Sequence, residues 1–472
     1  MSSRPVLTLR RAVCLTAVML LLFTSVAPSQ TVPTRRRASV QKTARTPVIM
    51  LSIDGLKPDY VTDADKHGLK IPNLRRLMKE GAYASGVTGV TPTVTYPSHT
   101  TLVTGVAPAR HGILTNTPLD PFSKNQSGWN WYAEDIKVPT LWEVAGKAGL
   151  VTASVDWPVT VGAEIRYNIV QYWRASTPDD HKLSRALSTK GLLDEAEKDC
   201  GPYPTGYEYV LKSDMRRAKF MTWMIEKKRP HFLTIYLSAL DEEQHDTGPY
   251  TKETFETLEA LDELLGEVRA AAERTFNGRF ILCVVSDHGH ILSDRELHLN
   301  AALSAAGLLE TDEQKKMKAW RAYAWSSGGS AAILLKDPND EQARAQVREL
   351  LGKLAADAES GIERVIEGDA ARATGGFPNA AFIVGMKPGY RIGGSLSGAV
   401  IRTGKPGGMH GYLPGHRDME SSFFISGSGI PVGLELGQID LRDIAPTLAA
   451  LMKVTLPAAE GRNVLQQKLT AR

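Results

Sequence analysis

The run Phe280-Ile281-Leu282-Cys283-Val284-Val285-Ser286 is apolar almost without interruption and stops abruptly at Asp287-His288-Gly289-His290. A strand with no polar face has no solvated side, so it belongs inside a sheet covered on both faces. Three further runs read the same way: Pro47-Val48-Ile49-Met50-Leu51-Ser52-Ile53 before Asp54-Gly55, Val151-Thr152-Ala153-Ser154-Val155 before Asp156, and His231-Phe232-Leu233-Thr234-Ile235-Tyr236-Leu237 before Asp241 and His245. Helical patterns separate them, the longest marked by Phe255, Leu258, Leu261, Leu264, Leu265 and Val268. Strands alternating with helices predict an α/β fold around a mostly parallel sheet. In open sheets of this kind ligands bind outside the carboxyl ends of the strands, which is where the acids and imidazoles fall.

The first 46 residues follow different rules. Arg4, Arg10 and Arg11 precede an apolar run over residues 12–26, and small residues follow it. This pattern predicts a secretory signal over residues 1–30, since the run is shorter than the roughly 20 residues a membrane span needs. Residues 31–46 are basic without a single acid and read as a disordered leader. Removing the eight basic side chains of residues 1–46 takes the net charge from +4 to −4, so the folded part is not a basic, nucleic-acid-binding module. Outside the signal only Cys200 and Cys283 are available, and no disulfide framework is expected.

The folded domain is expected over residues 47–465, with insertions at about 165–228 and 295–400. The first insertion reads as a wall or cap over the site, with a helix over 215–226. Further helices are expected at 141–148, 296–306, 338–357 and 440–452, and strands at 331–335 and 422–426. A glycine-rich stretch, 404–408, reads as a flexible loop ahead of His410.

Thr95 lies in Val90-Thr91-Pro92-Thr93-Val94-Thr95-Tyr96-Pro97-Ser98-His99-Thr100-Thr101. Residues 98–104 predict a short helix closed by Gly105, its amino end facing Thr95, where N–H groups and the helix dipole favour a phosphate. Collected from the strand ends and loops, the metal-capable set is Asp54, Thr95, Asp241, His245, Asp287, His288 and His410. Carboxylates and neutral imidazoles are the donors of catalytic zinc sites. Six such side chains and a hydroxyl exceed what one tetrahedral ion takes and suit two, about 3.5–4 Å apart, clamping a phosphoryl group.

The motifs Ser52-Ile53-Asp54-Gly55, Pro92-Thr93-Val94-Thr95-Tyr96-Pro97-Ser98-His99, His111-Gly112-Ile113 with Asn116, Asp241 with His245, Ser286-Asp287-His288-Gly289, His410-Gly411-Tyr412 and Asp443-Ile444-Ala445-Pro446-Thr447-Leu448 occur in this order. Together they resemble the alkaline phosphatase superfamily, in its nucleotide pyrophosphatase/phosphodiesterase branch. The resemblance implies a three-layer sandwich with helices on both faces of the sheet and an inserted cap region. It also implies two Zn2+: Asp241, His245 and His410 on one, and Asp54, Thr95, Asp287 and His288 on the other. Thr95 would be the nucleophile, forming a phosphothreonine that water on the first zinc releases. Asn116 would donate to a non-bridging phosphate oxygen.

Tyr96, Trp157 and Tyr172 are the expected stacking partners of a substrate base. Asp156-Trp157-Pro158-Val159 departs from the aromatic-Trp-Pro-Gly run of the branch's diesterases, and no Lys-x-Arg pair stands near Asp156 to hold a monoester's extra charge. The expected activity is therefore that of an exported, periplasmic or secreted phosphodiesterase acting on a small phosphate ester such as a nucleotide. A phosphate monoesterase or phosphonate hydrolase on the same scaffold is the alternative, and a metal- or carbohydrate-binding protein without turnover the reading from a different class.

Overall fold

The computed structural model describes residues 45–125, 128–172, 178–204 and 210–466. The described residues all belong to one compact unit, Arg45–Arg472. The expected signal and nearly all of the expected leader lie outside the described residues.

Eight strands form the central sheet: β1 (Val48–Ile53), β2 (Ala82–Tyr83), β3 (Thr152–Val155), β4 (Tyr167–Ile169), β5 (Phe232–Leu237), β6 (Ile281–Val285), β7 (Phe423–Gly427) and β8 (Leu434–Glu435). Their order is β8-β2-β7-β6-β1-β5-β3-β4. β1 lies in the middle, parallel to both β5 and β6, with Val48 opposite Phe232 on one side and Ile281 on the other. Only β7 runs antiparallel to its neighbours β6 and β2. All six residues of β1 and all five of β6 are buried, as a strand covered on both faces requires.

Alternate residues of these strands feed two separate cores. Val48 and Met50 join Cys283, Val285 and Tyr236 against a layer that includes α2 (Thr95–Thr104), α3 (Leu141–Lys147) and α8 (Ile444–Met452). Ile49, Leu51 and Ile53 join Leu282 and Val284 against α1 (Pro72–Glu80), α4 (Leu192–Cys200), α5 (Leu211–Trp223) and α7 (Lys252–Phe276). The result is three layers with helices on both faces. The stripe read from the sequence is the buried side of α7: Leu258, Leu261, Leu264, Leu265 and Val268 are all inside. α6 (Ala239–Thr247) follows β5 directly.

The region 165–228 carries β4, α4 and α5, and the buried apolar residues of α4 and α5, among them Leu192, Leu193, Phe220 and Met221, belong to the second core, so it supplies part of a helical layer over the sheet. The segment after β6 builds a smaller unit with its own core, around a four-stranded antiparallel sheet of Ala322–Ser326, Ser330–Leu335, Phe382–Met386 and Ile362–Glu367. Two local expectations are corrected there. Residues 291–297 are a strand, pairing with both Gly389–Ile392 and Ile401–Met409, and the helix expected from 296 begins at Leu299. The glycines at 404–408 lie within the Ile401–Met409 strand, whose register shifts between Thr403 and Gly407. Long-range pairing decides both points, and it has no signature in local composition.

Candidate active site

Thr95 is the first residue of α2, three positions ahead of the expected start. Its Oγ1 lies 3.4 Å from His288 Nε2 and 3.5 Å from Asn116 Nδ2. The Asn116 amide is held by its other end, since Oδ1 accepts from the Tyr96 N–H at 2.8 Å. That N–H is among the four a helix start leaves without an intrahelical partner, so Asn116 caps α2 from outside and its N–H2 must face Thr95. Beneath α2, the buried His99 bridges the Thr95 carbonyl and Ser52 Oγ, both at 2.8 Å. Gly105 ends the helix at φ 70°, a left-handed turn that favours glycine.

Around Thr95 the strand ends deliver two groups of ligands. In the first, His288 Nε2 is a hub, 3.1 Å from Asp287 Oδ2 and 3.4 Å from Asp54 Oδ1. Asp54 has one oxygen hydrogen-bonded by the Tyr236 hydroxyl at 2.5 Å, and Asp287 has one bonded by the Gly55 N–H at 3.2 Å. Their second oxygens, Asp54 Oδ1 and Asp287 Oδ2, have no hydrogen-bond donor. In the second group, Asp241 and His245 stand four residues apart on α6, with His245 Nε2 3.5 Å from Asp241 Oδ2. His245 Nδ1 is taken up by the Gly408 carbonyl at 2.9 Å, which fixes Nε2 as the free nitrogen. His410 Nε2 comes within 3.9 Å of Asp241 Oδ1. After it the chain turns at Gly411, φ 81°, where a Cβ would meet the Ser327 carbonyl at 1.5 Å.

Such a cluster is electrostatically incomplete by itself. Burial, with the neighbouring Asp287 and Asp241 charges, raises the Asp54 carboxyl well above its usual range. Burial, with the Asp241 charge, pushes Asp287 up to about 8. Burial also works against ionised Asp241, but His245, His290 and His410 overcome it and hold that carboxyl well below its usual range. His410 is pushed down to about 3 by burial, so it presents neutral imidazole, the form that ligates metal. Unpartnered carboxylate oxygens facing neutral imidazoles are the donor set of a divalent cation. Three sets bring one donor atom from each member close enough to share a cation: Asp54, Asp287 and His288; Asp241, His245 and His290; and Asp241, His288 and His410.

A cavity of about 300 Å³ opens onto both groups, with Thr95, Asn116, Asp54, Asp241, His245 and His410 at its floor. Trp129 forms a wall, backed by the buried ring of Tyr96, their centroids 5.2 Å apart. No Lys or Arg lines it among the described residues.

The expected stacking set is corrected in two places. Trp157 is fully buried, edge-on to His99 at 4.9 Å, and cannot meet a ligand. Tyr172 packs on Trp131 at 4.6 Å and does not line the cavity, where Trp129 stands in their place. Trp129 lies in an irregular loop, and nothing in its local sequence set it apart. Asp156 is buried too, receiving the Tyr203 hydroxyl at 3.0 Å and lying 3.3 Å from Arg217 Nε. It acts as a structural acid, and no wall of the cavity is lost to it. His290 went unassigned, and it lies inside the second ligand group, Nε2 3.1 Å from Asp241 Oδ1. Its signal was the second imidazole in Asp287-His288-Gly289-His290.

Fold and cluster together define a class: an α/β sandwich whose parallel strands end in a metal-capable acid and histidine site. Residues 48–413 match the profile of the type I phosphodiesterase / nucleotide pyrophosphatase family, and the chain belongs to that family. Human ectonucleotide pyrophosphatase/phosphodiesterase family member 1 is 27% identical over 254 residues, which is 52% of this chain and 23% of the human protein. Venom phosphodiesterase 2 of Crotalus adamanteus is 27% identical over 261 residues, 52% of this chain and 27% of its own length. The matches thus take in about a quarter of those curated relatives. Among solved structures, an inactive threonine-to-alanine variant of murine ectonucleotide pyrophosphatase/phosphodiesterase 5 in complex with AMP superposes with TM-score 0.65 at 20% identity, covering 90% of this chain and 100% of that one. The human counterpart gives 0.63 at 21%, covering 90% and 99%. The fold is the alkaline-phosphatase-like one.

Proposed function

We propose that this chain is an exported two-zinc phosphodiesterase of the nucleotide pyrophosphatase type, acting through a phosphothreonine intermediate on Thr95. The observation that carries the reading is the position of Thr95 Oγ1, within 3.5 Å of both His288 Nε2 and Asn116 Nδ2 at the floor of one cavity. An unassisted threonine hydroxyl is too weak a nucleophile at neutral pH. Two bound zinc ions would supply the missing acidity and offset charge on the phosphoryl group.

The protein's own groups do the rest. Thr95 Oγ1 gives up its proton to solvent and attacks phosphorus in line, the bond to the leaving alkoxide breaks, and the phosphoryl group, still carrying the diester's second substituent, rests on Thr95 until water releases it as a monoester. Asn116, its oxygen held by Tyr96 N–H, aims its N–H2 at the non-bridging oxygen that gains charge. Tyr236 and Gly55 N–H hold one oxygen each of Asp54 and Asp287 and leave the other for metal. Trp129, backed by Tyr96, offers a wall to an aromatic group such as a nucleobase. A monoanionic diester suits a cavity without Lys or Arg better than a dianionic monoester does. Export rests on the basic and apolar pattern of residues 1–30.

The test is a comparison of kcat/KM for a nitrophenyl phosphodiester, a nitrophenyl monoester and a nucleoside triphosphate, with metal analysis of the same preparation. The diester is expected to lead, with two zinc ions per chain and a phosphoryl group, still bearing the diester's second substituent, trapped on Thr95 by rapid acid quench and peptide mass spectrometry. Two bound zincs without turnover of any ester would sink the enzyme reading, and a leading monoester would sink the diester assignment. Mass analysis of the exported protein should find the chain starting beyond the apolar run.

A further inference from the structure

We infer that His290 is a fourth protein ligand of the ion on Asp241, so that this site is built from one carboxylate and three imidazoles. The inference rests on the two-zinc reading above and goes beyond the ligand set drawn from sequence.

His290 is completely buried, and neither ring nitrogen has a hydrogen-bond partner. A structural histidine in a protein interior ordinarily satisfies at least one nitrogen, because a buried unpaired polar group is costly. Its Nε2 is 3.1 Å from Asp241 Oδ1, yet both atoms lack a properly aligned hydrogen bond. Two donor atoms that are close without pointing at each other converge on a third point.

The ring positions say where that point is. With zinc–nitrogen bonds near 2.05 Å in a tetrahedron, ligand atoms stand about 3.3 Å apart and imidazole centroids about 5.2 Å apart. The three centroids here are separated by 4.9 Å (His245 to His290), 5.0 Å (His245 to His410) and 5.5 Å (His290 to His410). The carboxylate of Asp241 meets all three rings, at 3.5 Å from His245, 3.1 Å from His290 and 3.9 Å from His410. Donor atoms of Asp241, His245 and His290 lie within 4.8 Å of one another. The fold also makes room for this ring. A Cβ on Gly55 would come to 3.0 Å of His290 Cε1 and Nδ1, and one on Gly408 to 3.0 Å of its Cδ2, so two glycines bracket the imidazole.

Three imidazoles favour zinc, copper or cobalt over magnesium, calcium or manganese. Together with Asp241 they would fill the four tetrahedral positions, so a substrate oxygen would have to add as a fifth ligand, an expansion zinc sites make.

The experiment uses the full exported protein, stripped with a chelator and retitrated with Zn2+ and Co2+. Readouts are ions per chain, affinity by competition with a chromogenic chelator, and the visible absorption of bound Co2+, which reports coordination number. His290→Ala and His290→Gln are compared with wild type, Gln keeping an N–H donor for Asp241 without an imidazole. Both variants should lose more than about 100-fold in affinity for one of two ions, beyond the roughly 10–100-fold of an outer-shell partner. Both should alter the Co2+ spectrum, and added imidazole should restore it in His290→Ala. Recovery of affinity and spectrum in His290→Gln overturns the inference, leaving His290 to orient Asp241 only, and so do unchanged values in both variants. A wild-type protein that takes up no ions overturns the two-zinc reading itself, which separates the two failures.

Discussion

Asn116 joins two jobs that a single substitution can pull apart. Its Oδ1 caps Tyr96 N–H at the start of α2, at 2.8 Å, while its Nδ2 faces Thr95 Oγ1 at 3.5 Å. Asn116→Asp preserves the shape and the capping oxygen, and places a carboxylate at a helix amino end, where negative charge is favourable. It removes the donor aimed at the phosphoryl oxygen and repels the substrate's anion. Loss of one donor to a developing oxyanion costs about 2.7–4 kcal/mol, or roughly 10²–10³ in kcat. Asn116→Ala removes the cap as well, adding about 1 kcal/mol of lost stability. Steady-state hydrolysis of a nitrophenyl diester, thermal unfolding and metal content should therefore diverge. Asn116→Asp should keep its melting temperature and both ions while kcat falls at least about 100-fold. Asn116→Ala should lose activity comparably and melt earlier. If Asn116→Asp retained kcat within about threefold of wild type, the oxyanion argument would be wrong, since the donor is worth far more than that.

Thr95→Ala should lower kcat at least about tenfold, with both ions retained, because the hydroxyl is the attacking group and not the main anchor; unchanged turnover would refute the assignment. His245→Ala should leave one ion per chain by elemental analysis, since Asp54, Asp287 and His288 form a separate group. Trp129→Ala should raise KM for a nucleoside-bearing diester by roughly 5–10-fold, about 1–1.5 kcal/mol of stacking, whereas Trp157→Ala should instead destabilise the fold by about 3–5 kcal/mol. In metal-stripped protein, burial lifts Asp287 to about 8 and raises Asp54. Histidine in the unfolded chain has lost most of its protons by about pH 7.5. From there the unfolded state has released the carboxyl protons that the folded state still binds, so stability must fall as pH rises from about 7.5 through about 8. Melting of the stripped protein should show that fall, and zinc should abolish it; a flat profile without metal would contradict the sign.

Much of this fold could be read along the chain. The runs before Asp54 and Asp287 needed burial on both faces because they are apolar almost throughout, and β1 and β6 lie where that demand is met. The spacing of Asp241 and His245 put both on one side of α6, and Gly105 marked the end of α2. Edge strands and glycine-rich turns of the smaller unit were harder, because Ile291–Leu297 and Ile401–Met409 are defined by pairing with each other rather than by their own periodicity.

For the site the division is sharper. Sequence alone brought forward the candidate side chains: acids and imidazoles at the ends of buried strands, a threonine ahead of a short helix, and an asparagine downstream of it. Tertiary structure decided which of them come together, which aromatic ring faces the cavity, and that His290 lies against Asp241. Ligation and stacking depend on separations of 3 to 5 Å between residues tens or hundreds of positions apart, and only the packed sheet brings those distances about. Trp157 and Trp129 are the same residue type, and what separates a core ring from a binding wall is the side of the sandwich each one reaches.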